Sequence, residues 1–329
     1  MRIFSGIQPT GALHIGNYLG MLRQSFELQE KNDCVFCIVD LHAITIPYDQ
    51  KQLQKNIIET AISYLAAGID PEKSILFVQS HVTQHTELMW LLNTVTPVGD
   101  LTRMTQFKDK SKQFKGEVGA GLLNYPILMA ADICLYKTEV VPVGKDQEQH
   151  VELARTIARR FNQKFGKTFI EPATKFPERG AKIMALNDPQ KKMSKSVPES
   201  CLFLFDEPDI IKKKVGSAVT DTESKVKYNQ TKKPGVSNLM TIYSLFSDES
   251  IKEIETKFRG KGYREFKLSL ADLLIEKLEP FRRKRKELLS REVYIREILA
   301  QGARKARVIA EATMEETKKR MGLIQGRSN

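Results

Sequence analysis

Long apolar runs, cysteine and tryptophan are scarce in this chain of 329 residues. No apolar run approaches the roughly 20 residues that a membrane-spanning helix needs. The N-terminal sequence MRIFSGIQPTGALHIG lacks the apolar core and the small-residue cleavage site of a secretory signal. Four cysteines are too few for a disulfide framework. The sequence therefore predicts a cytoplasmic protein with reduced thiols and no membrane partner.

Acidic residues are outnumbered by basic ones. The chain has 52 Lys and Arg against 40 Asp and Glu, a net charge of +12 and a pI near 9.4. The excess is concentrated after residue 200. This favours a polyanionic partner such as RNA, although composition alone leaves open a basic protein that binds no nucleic acid.

The first half of the chain alternates between strand and helix patterns. Strands are predicted at Arg2–Ile7, at CVFCIVD, at SILFVQS and at Val140–Val143. Helices are predicted for HIGNYLGMLRQSFELQE and for Gln50–Ala67, Tyr125–Tyr136 and Gln147–Phe161, with a loose segment from 98 to 121. We expect a Rossmann-like parallel sheet in an α/β catalytic domain of residues 1–196. Residues 197–329 are expected to form a helical domain, whose last helix could pack back on the first domain.

The segment PTGALHIGN, residues 9–17, joins the first strand to the first helix. The N–H groups and partial positive charge of a helix N-terminus suit a phosphate. Gly16 has no Cβ, so a flat ligand such as adenine can lie against its backbone. His14 and Asn17 share one face of the first turn and can both bond phosphate oxygens. A capped turn with a solvent-facing histidine is the alternative.

Two later segments also suit a nucleotide. KKMSKS, residues 191–196, lies between turn signals, and its lysines can close over a triphosphate and stabilise leaving pyrophosphate. VPVGKDQ, residues 141–147, ends a strand and opens a helix, where ligands bind in open α/β sheets. There Gly144 permits close approach of a ribose, Asp146 can accept from its hydroxyls, and Gln147 can reach a ligand amino group. A solvated loop and a simple turn are the alternatives.

Asp132 is the one charged side chain in GLLNYPILMAADICLY, residues 121–136. With Pro126 in a first helical turn, Asp132 shares a face with Tyr125, Met129, Ile133 and Tyr136. A carboxylate on an apolar face is costly unless it meets a donor. Two interpretations of Asp132 remain open. Its carboxylate forms a cap or a salt bridge to the second domain, or it accepts a hydrogen bond from a ligand group such as an indole N–H.

His14-Ile-Gly-Asn17 and Lys192-Met-Ser-Lys-Ser196 together resemble the HIGH and KMSKS signatures of the class I aminoacyl-tRNA synthetases. FSGIQPTG, RMTQFKDKS, VPVGKDQEQHVELAR and KPGVSNL extend the likeness to the bacterial tryptophanyl-tRNA synthetases. Asn17 replaces the final histidine, a departure that the tryptophan enzymes usually share.

The resemblance implies a set of site residues. Catalytic roles are implied for His14, Asn17, Lys110, Lys192 and Lys195. The ATP site would comprise Gln8, Pro9, Thr10, Gly16, Asn17, Gly144, Lys145, Asp146, Ile183, Lys192, Met193, Ser194, Lys195 and Ser196. The tryptophan pocket would comprise Phe4, His42, Tyr125, Met129, Asp132, Ile133, Val141, Val143 and Gln147.

The resemblance also implies a reaction and its partners. Tryptophan and ATP, with Mg²⁺, would give tryptophanyl-adenylate, and the tryptophanyl group would pass to the terminal adenosine of tRNA(Trp). A homodimer is implied, and the basic run Phe281–Lys286 is a candidate tRNA contact or a solvated helix face. A tyrosine enzyme would usually carry a further RNA-binding module. A metabolite adenylyltransferase would not be expected to combine these motifs, and a non-enzymatic tryptophan sensor should have lost Lys192 and Lys195.

The remaining chemistry-bearing residues have structural interpretations. Cys34 and Cys37 have CxxC spacing, but residues i and i+3 of a strand point to opposite faces, which favours buried thiols over a redox or metal site. No metal-binding residues are predicted. His42 could line the pocket or be structural, and His81, His85 and His150 are interpreted as structural. Trp90 is assigned to the core or to a dimer interface.

Overall fold

The computed structural model describes residues 1–113, 119–176, 182–195 and 197–324. Its five strands form one parallel sheet in the order β3-β2-β1-β4-β5. Parallel neighbours require helical crossovers, and helices do connect most of these strands. The predicted α/β class with a helical C-terminal part is confirmed. The strands are β1 (Arg2–Ile7), β2 (Asp33–Ile38), β3 (Ser74–Val78), β4 (Val140–Pro142) and β5 (Ala173–Lys175).

The helices of the first half surround this sheet. They are α1 (Ile15–Asn17), α2 (Arg23–Leu28), α3 (Asp40–Ala43), α4 (Gln50–Ala67), α5 (Gln84–Asn93), α6 (Val98–Thr102), α7 (Thr105–Gln113), α8 (Ala120–Leu135) and α9 (Glu148–Phe165). A π-helical turn, Tyr18–Leu22, joins α1 to α2. Short 3₁₀ turns occupy Gln79–His81, Lys145–Gln147 and Pro198–Ser200. The C-terminal helices are α10 (Pro208–Ser217), α11 (Pro234–Ser247), α12 (Ile251–Lys257), α13 (Tyr263–Leu289) and α14 (Glu292–Met321).

Local signals set the ends of several elements. The bounds of β1 and α4 match the prediction, and α4 begins where Asp49 accepts a hydrogen bond from the backbone N–H of Gln52 at 2.7 Å. It ends at Gly68, whose φ of 131° suits a residue without a Cβ. Two expectations were wrong. The loose segment contains the helices α6 and α7, and α8 starts five residues before Tyr125, which puts Pro126 inside the helix.

The sheet separates two hydrophobic cores. Strand alternation sends Cys34 and Phe36 into one core with α4 and the C-terminal helices, and sends Val35 and Cys37 into the other core with α5, α8 and α9. The expectation that Cys34 and Cys37 are buried on opposite faces is confirmed. Burial raises the pKa of Cys34 to about 11, so this thiol stays protonated near neutral pH.

The last helix, α14, packs against the edge strand β3. At the crossing, a Cβ on Gly302 would lie 1.9 Å from the carbonyl oxygen of Leu76, so the two backbones are in direct contact. Arg307 on the same helix donates to the carbonyl oxygen of His81, 2.8 Å away, in the turn that follows β3. Helix α14 thus covers the open edge of the sheet. A domain boundary at residues 196 and 197 stays a prediction.

The rest of the C-terminal part is joined to the sheet region through backbone and core. Leu204 N–H donates to the carbonyl of Leu13, and Ile15 N–H donates to the carbonyl of Leu202, so the chain after the 3₁₀ turn Pro198–Ser200 pairs with the start of α1. No helix among the described residues has the length and apolar character needed to cross a bilayer.

Candidate active site

A cleft of about 680 Å³ opens at the carboxyl ends of β1, β2 and β4. This is where the order of a doubly wound sheet reverses and where such sheets bind ligands. Most of the predicted site residues line it. They are Phe4, Gln8, Thr10, His14, Asn17, His42, Tyr125, Met129, Asp132, Val141, Val143, Gly144, Asp146, Gln147, Lys192, Met193, Ser194 and Lys195.

The other predicted residues lie beside the cleft or are not described. Ile133 is buried in the core on the α8 side of the sheet, and Ile183 is buried behind the first turn of α1. Pro9, Gly16 and Lys145 are chain neighbours of lining residues but are not among the lining residues themselves. The side chain of Lys110 and the whole of Ser196 lie outside the described residues. The site assignments of all these residues stay predictions.

His14 caps the short helix α1. Its Nδ1 accepts a hydrogen bond from the backbone N–H of Asn17 at 3.2 Å, and the Oδ1 of Asn17 accepts from the backbone N–H of His14 at 3.4 Å. Burial, assisted by the positive charges of Lys195 and Lys192, lowers the pKa of His14 to about 4. The ring is therefore neutral at pH 7 with its proton on Nε2. In both side chains an acceptor atom is already bonded to a backbone N–H, and an N–H group remains as a donor.

Gly16 leaves room for the His14 ring. A Cβ at this position would lie 2.9 Å from Nδ1 of His14 and 3.5 Å from the Cβ of Ile183. The prediction was that the missing Cβ admits a flat ligand. The structure shows that it admits the capping imidazole, so a side chain here would first displace His14.

The KMSK segment forms a loop, as predicted, and the loop is a small hairpin. Lys192 pairs with Met184 in an antiparallel bridge, and the backbone N–H of Met193 donates to the carbonyl of Ile183 at 3.0 Å. Met193 is 2% exposed and anchors the hairpin in the core. Asn238 on α11 holds the facing strand, since its side-chain amide accepts from the N–H of Met184 and donates to its carbonyl. The loop is therefore tied to the C-terminal helices.

Two lysines of this hairpin face the first motif. Nζ of Lys195 donates to Oγ1 of Thr10 at 2.7 Å, which joins the hairpin to the turn after β1. Burial lowers the pKa of Lys195. The exposed Lys192 also lines the cleft, and its positive charge helps to lower the pKa of His14. This end of the cleft is positively charged and rich in hydrogen-bond donors.

Asp132 lies at the other end of the cleft and is 1% exposed. Three donors surround its carboxylate. Oδ1 accepts from Nε2 of Gln79 at 2.7 Å and from Nδ1 of His85 at 2.6 Å, and Oδ2 accepts from Nε2 of His42 at 2.8 Å. Burial alone would raise the pKa of Asp132, but the hydrogen bonds and charges of His42 and His85 outweigh it and lower the pKa to about 2. The cleft thus contains one buried, ionised carboxylate.

The GKDQ turn is folded tightly on itself. A Cβ at Gly144 would lie 2.7 Å from Oδ1 of Asp146, so a side chain at that position would collide with the carboxylate. Oδ2 of Asp146 accepts from Nε2 of Gln147 at 3.0 Å. Nearby, the hydroxyl of Tyr125 donates to Gln106 and contacts Nε2 of His150. Tyr125, Asp146 and Gln147 are thereby fixed at the wall of the cleft.

Sequence reasoning missed two of the three residues that hold Asp132. Gln79 and His85 follow β3, and the sequence interpretation of His85 is only structural. A signal was available for Gln79, because it directly follows a buried strand at the edge of the sheet where ligands bind. Nothing in the spacing of His85 indicates its contact with a residue 47 positions away.

The basic run Phe281–Lys286 is partly structural. Phe281 packs on Tyr18 with ring centroids 5.2 Å apart, and the buried Arg282 bonds Glu279 and two backbone carbonyls. Arg285 pairs with Glu59 at 2.8 Å. The exposed side chains of the run are Arg283, Lys284 and Lys286.

A model of the family described as "tRNA synthetases class I (W and Y)" matches residues 1–279. This chain belongs to that family. The synthetase is 51% identical over 325 residues to the tryptophan–tRNA ligase of Caldanaerobacter subterraneus, a match that covers 98% of each chain. It is 50% identical over 323 residues to the Bacillus subtilis protein of the same name, covering 98% of this chain and 97% of the relative. The resemblance predicted from the two signatures is confirmed.

Solved structures agree with the family. The tryptophanyl-tRNA synthetase of Campylobacter jejuni, in complex with ADP and tryptophan, matches with a TM-score of 0.87 and 39% identity over 98% of this synthetase and 100% of that chain. A tyrosyl-tRNA synthetase from Archaeoglobus fulgidus gives a TM-score of 0.68 at 17% identity over 86% of this chain and 90% of its own, which shows the shared fold.

Proposed function

We propose that this synthetase is a tryptophan–tRNA ligase. It activates L-tryptophan with ATP and transfers the tryptophanyl group to the 3′-terminal adenosine of tRNA(Trp). Near-full-length relatives at about 50% identity support this activity. The observation in this chain that carries the proposal is the cleft itself, which has one buried carboxylate, Asp132, at one end and two lysines, Lys192 and Lys195, at the other.

The end at Asp132 binds the indole ring. Three donors occupy part of the carboxylate's capacity of about four lone pairs, which leaves one position for the indole N–H. The apolar walls of this end suit the carbon skeleton of the ring. Phenylalanine, which has no ring donor, would remove a hydrogen bond from an ionised buried group and be rejected. The walls are formed by Phe4, Met129, Val141 and Val143.

The opposite end binds ATP. Nε2–H of His14 and the amide N–H₂ of Asn17 are donors for phosphate oxygens, and Lys192 and Lys195 supply positive charge. The Gly144 turn lies along the wall between the two ends, where a ribose would sit with Asp146 as acceptor. This supports the predicted ATP contacts of the described residues.

The protein aligns and stabilises the reactants rather than supplying a nucleophile. A carboxylate oxygen of tryptophan attacks the α-phosphorus of ATP, the bond to the bridging oxygen breaks, and the electron pair leaves with pyrophosphate. Lys192 and Lys195 stabilise that charge as it develops. In the second step the terminal ribose hydroxyl of the tRNA attacks the carbonyl carbon of the adenylate, and AMP leaves.

Mg²⁺ would accompany the phosphates. Among the described residues there is no group of three His, Cys, Asp or Glu side chains placed to hold a metal ion. Mg²⁺ is typically bound through one or two carboxylates and substrate phosphates, so the ion fits here as part of the bound nucleotide. It would neutralise phosphate charge.

The tRNA and a second copy of the chain are the proposed macromolecular partners. The exposed cations Arg283, Lys284 and Lys286 support a phosphate contact on α13. Trp90 on α5 is 70% exposed and Val98 on α6 is 66% exposed, which favours the predicted dimer interface over a core position. Because tRNA charging takes place where translation does, we place the protein in the cytoplasm.

ATP–pyrophosphate exchange with each of the twenty amino acids tests the proposal. We expect exchange with tryptophan alone, and a fall in kcat/KM of about 100-fold in Asp132→Asn, because an amide N–H₂ would face three donors. Asp33→Asn, at the exposed start of β2, is the matched control and should exchange like the wild type. Exchange with tyrosine, or an Asp132→Asn variant with unchanged kinetics, would contradict the proposal.

A further inference from the structure

His85 occupies a buried position between Asp132 of α8 and Tyr136, the C-cap of that helix. Its Nδ1 lies 2.6 Å from Oδ1 of Asp132, and its Nε2 lies 2.8 Å from the hydroxyl of Tyr136. Asp132 on α8 and Tyr136 at the C-cap of the same helix are one helical turn apart, so both face α5, which carries His85. His85 is 0% exposed and Tyr136 is 0% exposed. Neither lines the cleft.

The hydrogen bond between His85 and Asp132 has a fixed direction. An ionised carboxylate can only accept, so Nδ1 of His85 must carry a proton and donate it to Asp132. The hydroxyl of Tyr136 can donate or accept, so it bonds Nε2 whether or not that atom carries a proton. Asp132 thus fixes a proton on Nδ1, Tyr136 holds the other end of the ring, and His85 directs an N–H at the carboxylate that faces the cleft.

The packing around His85 limits its movement. The ring lies against Phe77 of β3, with centroids 5.8 Å apart, and against the ring of Tyr136 at 5.5 Å. Its donor atom is therefore held by neighbouring elements on both sides. Gln79, from the same end of β3, supplies the second donor to Oδ1. The two hydrogen bonds to Oδ1 consequently come from the side away from the cleft. The accepting capacity of the carboxylate that remains is directed to the cleft.

We propose that His85 is a positioning residue for tryptophan selection. Tyr136 orients the ring of His85, and His85 holds the Asp132 carboxylate so that the carboxylate selects a ligand with a hydrogen-bond donor. The proposal rests on the proposed function, in which Asp132 accepts the indole N–H. It predicts that loss of His85 reduces preference for a ligand with a ring N–H more than it reduces binding of the ring itself.

The test compares two amino acids that differ at the ring donor. Tryptophan and 3-benzothienylalanine have similar ring shapes, but sulfur replaces N–H in the second. The measured quantity is the ratio of their kcat/KM values in ATP–pyrophosphate exchange. His85→Leu should lower this ratio at least tenfold. His85→Asn, whose amide nitrogen can replace Nδ1, should restore part of it, and Tyr136→Phe should lower it several-fold.

Phe77→Leu is the control for a structural role. It loosens the packing on His85 without removing a hydrogen bond to Asp132, so it should lower stability but change the ratio much less than His85→Leu does. A wild-type ratio in His85→Leu would overturn the proposal. If that variant does not fold, a wild-type ratio in Tyr136→Phe overturns it instead.

The Asp132→Asn variant separates the two proposals. If it has the wild-type ratio, the indole contact assigned to Asp132 is wrong and the proposed pocket fails. If it loses the ratio while His85→Leu and Tyr136→Phe keep it, the pocket assignment stands and the role of His85 is refuted.

Discussion

Acidification to pH 4.5 should destabilise this protein through His14. The imidazole is 5% exposed and its Nδ1 accepts the N–H of Asn17, so protonation would replace an acceptor by a second donor facing another N–H. Burial, with the charges of Lys195 and Lys192, lowers the pKa of His14 to about 4, against 6.5 for an ordinary histidine. The useful perturbation is His14→Asn, because asparagine is a good helix cap that does not titrate.

The sign and size follow from linkage. Between pH 6.5 and 4 the unfolded chain binds a proton at this position and the folded chain does not, so stability falls as the pH falls. Each pH unit between the two pKa values corresponds to about 1.4 kcal/mol. Lowering the pH from 7 to 4.5 should therefore cost the wild type about 2 kcal/mol through His14. Asp132 and Asp221, with pKa values lowered to about 2, lose their contributions mainly below this window.

Urea unfolding at pH 7 and pH 4.5 measures the effect. The free energy of unfolding should fall by about 2 kcal/mol more in the wild type than in His14→Asn. Other titrating groups are common to both proteins and cancel in this comparison. Equal losses in the two proteins would show that His14 is not held neutral in the folded state, and the geometry inferred for the first turn of α1 would be wrong.

Three further predictions concern the packing and the partners. Gly302→Ala would press a Cβ on the carbonyl of Leu76 and should cost about 1–3 kcal/mol in urea unfolding. Gly216→Ala, in open space on α10, should instead stabilise by up to about 1 kcal/mol, and equal effects would refute the contact. Trp90→Glu should halve the mass seen by light scattering, whereas an unchanged dimer would exclude this face. Alanine at the three exposed cations of α13 should raise the KM for tRNA without changing pyrophosphate exchange, and a change in exchange alone would remove them as an RNA contact. These cations are Arg283, Lys284 and Lys286.

Local signals allowed much of the scaffold to be predicted. The Asp49 cap and the Gly68 stop determine α4, and a continuous apolar run determines β2. The bounds of α8 were harder, because Pro126 suggested a helix start. The observed helix starts earlier, at Ala120 after the N-cap Gly119, and accommodates proline in its interior. The strand β5 was not predicted, since three half-exposed or exposed residues carry no clear alternation.

The site was predictable where its residues are neighbours in sequence. His14, Asn17 and the KMSK hairpin are recognisable because local spacing puts their groups together. The contacts of Asp132 join the turn after β3, α3, α5 and α8 across up to 90 positions, and periodicity does not show such contacts. The packing of α14 on β3 depends likewise on a single distant glycine, Gly302.

The two ends of the cleft differ in hydrogen-bonding character, and in the proposed function this difference orients the substrates. At the first turn of α1, Nδ1 of His14 and Oδ1 of Asn17 are occupied by backbone N–H groups, so the remaining polar atoms of both side chains are donors. At the far end, donors from three elements converge on Asp132, so the remaining atoms are acceptors. A phosphate needs donors and an indole N–H needs an acceptor. Reversing either substrate would place a phosphate against the Asp132 carboxylate. In the proposed function the arrangement therefore brings the amino-acid carboxylate to the α-phosphate between the two ends.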